Sequence, residues 1–275
     1  MADISEHQGL GQFGRAYKIL FENDTHGPGS IDRTIMENMI RLCSETAPYL
    51  YGESTQTRSL YKKGSRPELE RYAQEAVLGC HSEEERIEAV ARFTSSLQEN
   101  VSDDLDTIQV GGTEEEIIKR GSNWCSDVAR VACALCQVAG LPARMVILAD
   151  TKKAYSGHMI IEVHRSEAWG AVDPLTNVVY RHARGRSASA WDLMNDSRLV
   201  ERHWRGESTP YTIADQFRGV AISNYFSWRW KEYDYSVSKI NDYYRPILEM
   251  SDQGWPGGLR WLHGEDDLTV TNDPE

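Results

Sequence analysis

Apolar residues along the first third of the chain recur at helical spacing. Ile31, Ile35, Met39 and Leu42 form one stripe behind a capping Ser30, and Ser65-Arg66-Pro67-Glu68 opens a second helix that stops at Gly79. Two capping boxes follow. Ser82 to Glu85 precedes a stripe of Ile87, Val90, Ala91 and Leu97 on which Thr94 is the one polar member, and Thr113 to Glu116 starts a short helix ending near Gly121. In both, three acids stand where the helix dipole favours negative charge. From 122 to 140 the spacing is again helical, through Val128, Val131, Ala132, Leu135 and Ala139. Ser122 or Asn123 serves as N-cap, and Gly140-Leu141-Pro142 is the stop signal.

After Pro142 the period becomes extended. Ala143–Ala149, His158–His164 and Glu167–Asp173 predict three strands, the last two a hairpin. A turn at Arg165-Ser166 pairs His164 with Glu167 and sets His158 directly opposite Asp173, with Cβ atoms roughly 4.5–5.5 Å apart. The same register gathers Met159, Ile161, Val163, Ala168, Gly170 and Val172 on a wholly apolar face, which a slip of one residue would destroy. Glu162 and His164 share the His158 face and read as solvated strand residues. From Tyr180 onward the pattern is irregular, and the stretch from Trp204 to Trp261 holds half of the chain's aromatic residues. These aromatics read as packing residues rather than a ligand platform.

Composition narrows the function classes. A chain of 275 residues with 40% hydrophobic and 26% charged content describes an ordinary soluble protein that needs no disulfide or metal staple. The net charge of −12 argues against a nucleic-acid partner, and the basic stretch Arg181 to Arg186 is too short to overturn it. The acidic, polar start and the lack of any long apolar run point to a chain that neither carries a standard secretion signal nor spans a membrane. Five cysteines, an odd number without a pairing pattern, fit a reducing cytoplasm. Cys133 and Cys136 form a Cys-x-x-Cys inside a helix with no second ligand pair, so they read as buried small apolar residues, and Cys43 and Cys80 as structural. The sequence calls for no metal and no cofactor.

The candidate chemistry lies in Gly121-Ser122-Asn123-Trp124-Cys125-Ser126-Asp127. Cys125 falls in the first turn of the predicted helix, where backbone amides and a nearby imidazolium stabilise a thiolate. Cys125, His158 and Asp173 supply nucleophile, base and orienting acid in the order a nucleophilic triad requires. The Cys125 amide, with Asn123 or Trp124, is the candidate oxyanion and substrate-contacting group.

Four blocks, Gly121-Ser-Asn-Trp-Cys125-Ser-Asp-Val-Ala, Gly140-Leu-Pro-Ala-Arg144, Ser156-Gly157-His158 and Trp169-Gly-Ala-Val-Asp173-Pro174, resemble the core motifs of the transglutaminase-like superfamily over roughly residues 82–180. The resemblance implies an α+β, papain-like core with a cysteine-bearing helix packed on an antiparallel sheet. It also implies Cys125 as nucleophile, His158 as base and Asp173 as orienting acid. The expected organisation is a helical N-terminal extension over 1–81, the catalytic core over 82–180, and an aromatic-rich C-terminal extension over 181–275 packed on it. Neither flank resembles a known accessory domain. The expected activity is cysteine-dependent acyl transfer on a peptide, protein or small amide or acyl substrate, with amide hydrolysis first and amide formation by amine capture second. A non-catalytic binding protein that keeps the fold is the alternative from another class.

Overall fold

A computed structural model of the chain describes residues 39–42, 44, 47–52, 57–99, 101, 111–150, 155–203, 217 and 219–223. The C-terminal aromatics from Tyr225 to Trp261 and the cysteine at 43 lie outside these residues. Where the first stripe reaches Met39 the backbone is extended: Met39–Arg41 is strand β1, and a short helix α1 (Ala47–Tyr51) follows. Helix α2 (Pro67–Ala76) begins with its proline in the first turn, where the missing N–H costs nothing. Both predicted capping boxes form, Ser82 with Glu85 at the start of α3 (Glu83–Ser95) and Thr113 with Glu116 at the start of α4 (Glu114–Arg120). Thr94 stays on the buried stripe because its hydroxyl donates within its own helix to the Val90 and Ala91 carbonyls, at 2.9 and 3.1 Å.

Helix α5 (Cys125–Val138) is buried from Ser126 to Gln137, on every side. An apolar, fully enclosed helix belongs at the centre of a fold. Gly140 and Leu141 then reverse the chain, with the Leu141 amide on the Cys136 carbonyl at 2.8 Å, into β2 (Ala143–Asp150). Next come β3 (Tyr155–Arg165), β4 (Ala168–Asp173) and β5 (Val178–Val179), helices α6 (Ala190–Asn195) and α7 (Ser197–His203), and β6 (Gly219–Ser223). The strands form one antiparallel sheet in the order β1-β6-β2-β3-β4-β5. Residues 219–223, expected in an extension packed on the core, thus run inside the sheet between β1 and β2.

Both sheet faces are covered. Helices α2 to α5 bury Leu69, Ile87, Ile117 and the α5 side chains against Met145, Ile147, Ile161, Val163 and Val172. On the opposite face α1, α6 and α7 bury Leu50, Leu193, Leu199 and Val200 against Val146, Leu148, Ile160, Ala171 and Ile222. That second cover corrects the expectation for Glu162, which is fully buried rather than solvated. Its carboxylate accepts from Arg144 Nε at 2.8 Å, the Tyr51 hydroxyl at 2.8 Å and the Ala190 amide at 2.7 Å. Arg144 itself lies against the Tyr51 and Trp169 rings and donates to the Leu50 carbonyl at 2.6 Å. Among the described residues no helix is long and apolar enough to cross a membrane.

The β3–β4 hairpin turns one residue later than expected. Ser166 and Glu167 are the turn residues, both at positive φ (45° and 66°), so Arg165 pairs with Ala168 and His164 with Trp169. Arg165 stays in the strand because its buried guanidinium donates to Ser187 Oγ at 2.6 Å and pairs with Glu84 of α3. The pairing moves by two residues, which keeps every side chain on its expected face. His158 and Asp173 are therefore diagonal neighbours rather than direct partners.

Removing one partner of a buried ion pair strands the other charge. Glu162→Ala leaves the Arg144 guanidinium without its carboxylate and is expected to cost about 3–5 kcal/mol. A denaturant titration of the variant against the wild type checks this.

Candidate active site

The approach to Cys125 is tightly specified. Gly121 ends α4 at φ +79°, and a Cβ there would lie 2.6 Å from the Leu97 carbonyl oxygen, so no side chain fits. The Ser122 amide donates to that same carbonyl at 3.0 Å. Ser122 Oγ accepts the Trp124 amide at 3.1 Å and lies 3.3 Å from Asp127 Oδ2, to which it donates. Its hydroxyl is therefore committed, and the N-cap of α5 is Trp124 (φ −88°, ψ 122°), not Ser122 or Asn123 as the pattern suggested. A tryptophan has no side-chain acceptor for the first-turn amides, and no side-chain cap bond forms. Cys125, partly exposed, is the first helical residue.

Topology brings the sheet to it. Since α5 and β2 run in opposite directions through the tight turn at Gly140, the N-terminus of α5 lies at the end of the sheet where β2 stops, β3 starts and β4 stops. There the β2–β3 register shifts between Leu148 and Ala149, so that His158 pairs with Leu148 and Ser156 with Ala149, leaving Gly157 as an extra residue. Such bulges bend a strand and re-aim its side chains. His158, which alternation with Ile160 and Glu162 aims at the face away from α5, lies near enough to Cys125 for the thiol to act on the charge of its ring.

On its other side the ring meets Asp173, with Nε2 2.9 Å from Oδ2 and both residues buried. Reaching a diagonal partner takes the far nitrogen of the ring. Asp173 is in turn held by the Leu175 and Thr176 amides, which donate to Oδ1 at 3.0 and 3.3 Å. Burial works against both charges, but the pairing outweighs it in each case. The Asp173 carboxyl is held below its usual range by the charge and hydrogen bond of His158 and by Thr176. The His158 ring is held well above 6.5, at about 10, by the charge and hydrogen bond of Asp173 and by Cys125. An ionised carboxylate only accepts, so Nε2 carries a proton and Nδ1 is the basic nitrogen.

The remaining sequence candidates sort by burial. The Trp124 amide is engaged by Ser122 and its partly buried indole packs against the core, while Asn123 sits partly exposed two residues before Cys125. Cys133 and Cys136 are buried in the α5 core, where burial pushes both thiols up. His164 packs edge-on against Trp169 at 5.3 Å between centroids. Among the described residues no cluster of three or more His, Cys, Asp or Glu is arranged to hold a metal ion. Ser122, expected only as a helix cap, and Asp127, given no role from the sequence, shape the path to the thiol. The readable signal was an acid in the first turn of the predicted helix, close behind Ser122.

Residues 70–174 match the transglutaminase-like superfamily, and no curated protein and no solved structure matches the chain. The match starts inside α2, ahead of the boundary expected at 82, and ends just past β4, so Cys125, His158 and Asp173 all fall within it. Leu69 and Ala73 of α2 share the core of α5, which accounts for the earlier start. Its helices on an antiparallel sheet are an α+β core, and this segment of the chain is similar to the transglutaminase-like superfamily, a likeness that suggests cysteine-based acyl transfer or hydrolysis at the general level.

Proposed function

We propose that the protein is a cysteine-dependent acyl-transfer enzyme in which Cys125 is the nucleophile, His158 the general base and acid, and Asp173 the orienting acid. The observation that carries this is one imidazole paired at 2.9 Å with a buried carboxylate and near enough to a partly exposed thiol at a helix N-terminus for that thiol to act on its charge. The proton that the thiol gives up already resides on His158 Nδ1, because the paired ring stays protonated up to about pH 10, and the sulfur attacks the carbonyl carbon of an amide or ester. The tetrahedral oxyanion accepts from the Cys125 amide and the Asn123 side chain, with the Trp124 indole lining the substrate. As the C–N bond breaks, the imidazolium returns its proton to the leaving amine and a thioester remains on Cys125. Water, deprotonated by His158, then attacks the thioester and releases the acid and the thiol.

Hydrolysis is the proposed outcome because water is the acceptor always present, and capture by an amine instead requires its exclusion. The substrate class is a peptide, protein or small amide. A reducing, cytoplasmic setting suits the chemistry, since all four cysteines among the described residues are free thiols.

Cys125→Ala is expected to lower turnover of a processed amide substrate on the order of 10³-fold or more while leaving the unfolding midpoint near wild type. Steady-state kinetics beside thermal unfolding checks this, and full activity of the variant overturns the proposal.

The raised ring also gives a pH signature. His158 titrates near 6.5 unfolded and at about 10 folded. Its contribution to stability is therefore fully present below pH 6.5 and is lost as pH rises through about 10. Asp173, lowered from 3.8, contributes above that pH and loses its contribution as pH falls through the folded value. In Asp173→Asn, burial acts on the ring without its counter-charge, so NMR titration is expected to find the His158 ring far below its wild-type value, and turnover falls about 10⁴-fold.

A further inference from the structure

A second buried carboxylate lies in the same helical turn as the thiol. Asp127 is two residues after Cys125, buried, and in the first turn of α5. An acid there ordinarily serves its own helix. Its hydrogen bonds run elsewhere instead: both carboxylate oxygens lie 3.1 Å from the Gly111 amide, and Oδ2 accepts from Arg120 Nη2 at 2.6 Å and from Ser122 Oγ. These donors come from the loop before α4, the last turn of α4 and the segment that leads to the nucleophile. Arg130 of α5, 4.0 Å away, adds charge and is itself held by Glu114, which also pairs with Arg66. Burial holds the Asp127 carboxyl above its usual range, against the opposing pull of Arg130, Arg120, the Gly111 amide and Ser122.

Ser122 makes this a matter for Cys125. One hydroxyl donates to Asp127 and accepts the Trp124 amide, so the carboxylate fixes the direction of that hydroxyl and, through it, the peptide immediately before the nucleophile. With the Ser122 amide on Leu97 and no room for a side chain at 121, the segment 121–124 is held at Gly121, Ser122 and Trp124. We propose that Asp127 is a positioning residue that acts through Ser122 Oγ to set the Trp124–Cys125 backbone, and with it the placement of the thiol toward His158. The proposal presupposes that Cys125 is the nucleophile, as argued above. Displacements on the scale of 1 Å are enough to disable a nucleophile and base that must meet within hydrogen-bond distance.

The test follows alkylation of Cys125 by iodoacetamide from mildly acid to mildly alkaline pH, by peptide mass spectrometry of the intact full-length protein, with Cys80 as the internal reference. Wild type, Asp127→Asn and Ser122→Ala are compared, and each variant's folding is checked by its unfolding transition. In the wild type Cys125 is expected to react faster than Cys80 and to keep reacting at acid pH. In both variants the Cys125 rate at acid pH is expected to fall about tenfold or more while the Cys80 rate is unchanged. A merely structural role for Asp127 would lower the unfolding midpoint and leave the Cys125 profile of the folded protein as it was, which overturns the proposal. If Asp127→Asn does not fold, Ser122→Ala decides alone, since it removes one oxygen and keeps the buried charges. A wild type in which Cys125 reacts no faster than Cys80 contradicts the functional proposal itself, a result separable from any effect of the variants.

Discussion

Helix α5 is enclosed from Ser126 to Gln137, and the rest of the described structure answers to that constraint. A helix buried on all sides needs apolar partners around it, which α2, α3, α4 and the inner face of the sheet supply. Its N-terminal end also carries polar groups into the interior, and those must be paired where they stand. The pairing is a run of alternating charge from Arg66 through Glu114, Arg130 and Asp127 to Arg120. Burying such charges contributes little net stability, because desolvation takes back most of the attraction. What the run does contribute is a defined end to the helix, and Cys125 is the first residue of that end.

The sheet meets that end with a second buried pair. Asp173 accepts from two amides of the turn after β4 and from His158, so its two oxygens are occupied and its direction is set. The ring inherits that direction. Cys125 arrives from a helix and His158 and Asp173 from neighbouring strands, so the alignment of the three depends on how α5 seats on β2 and β3. Three different kinds of local structure thus converge at one end of the sheet: a helix start, a bulge and a strand end.

Much of this was legible in the chain, and the parts that were not have definite physical causes. The boxes at Ser82 and Thr113, the stop at Gly140 and the apolar face of Ile161 and Val163 follow from contacts within a few residues, which sequence spacing records. The hairpin centre did not follow, because Arg165 is kept in β3 by Glu84, a residue of another helix. The two-residue difference kept His158 and Asp173 on one face, so their meeting survived an incorrect count. Glu162 looked solvated because its cover comes from α1 and α6, segments far along the chain whose packing no local period reveals. Strand β1 was read as helix for the same reason, since Met39–Arg41 is extended by pairing with β6. At the site, the place of Cys125 at the helix start was readable, whereas the role of Ser122 depends on Leu97 and Asp127 being brought together by the fold.

The account stands or falls on whether the Cys125 thiol carries an acyl group. Intact-protein and peptide mass spectrometry after brief exposure to an activated ester such as p-nitrophenyl acetate measures this directly. The predicted result is a single acetyl group on Cys125, labile to hydroxylamine as a thioester is, and lost in Cys125→Ser and His158→Ala. Acetylation spread evenly over Cys80 and Cys125, or acetylation of Cys125 that is undiminished in His158→Ala, would contradict it.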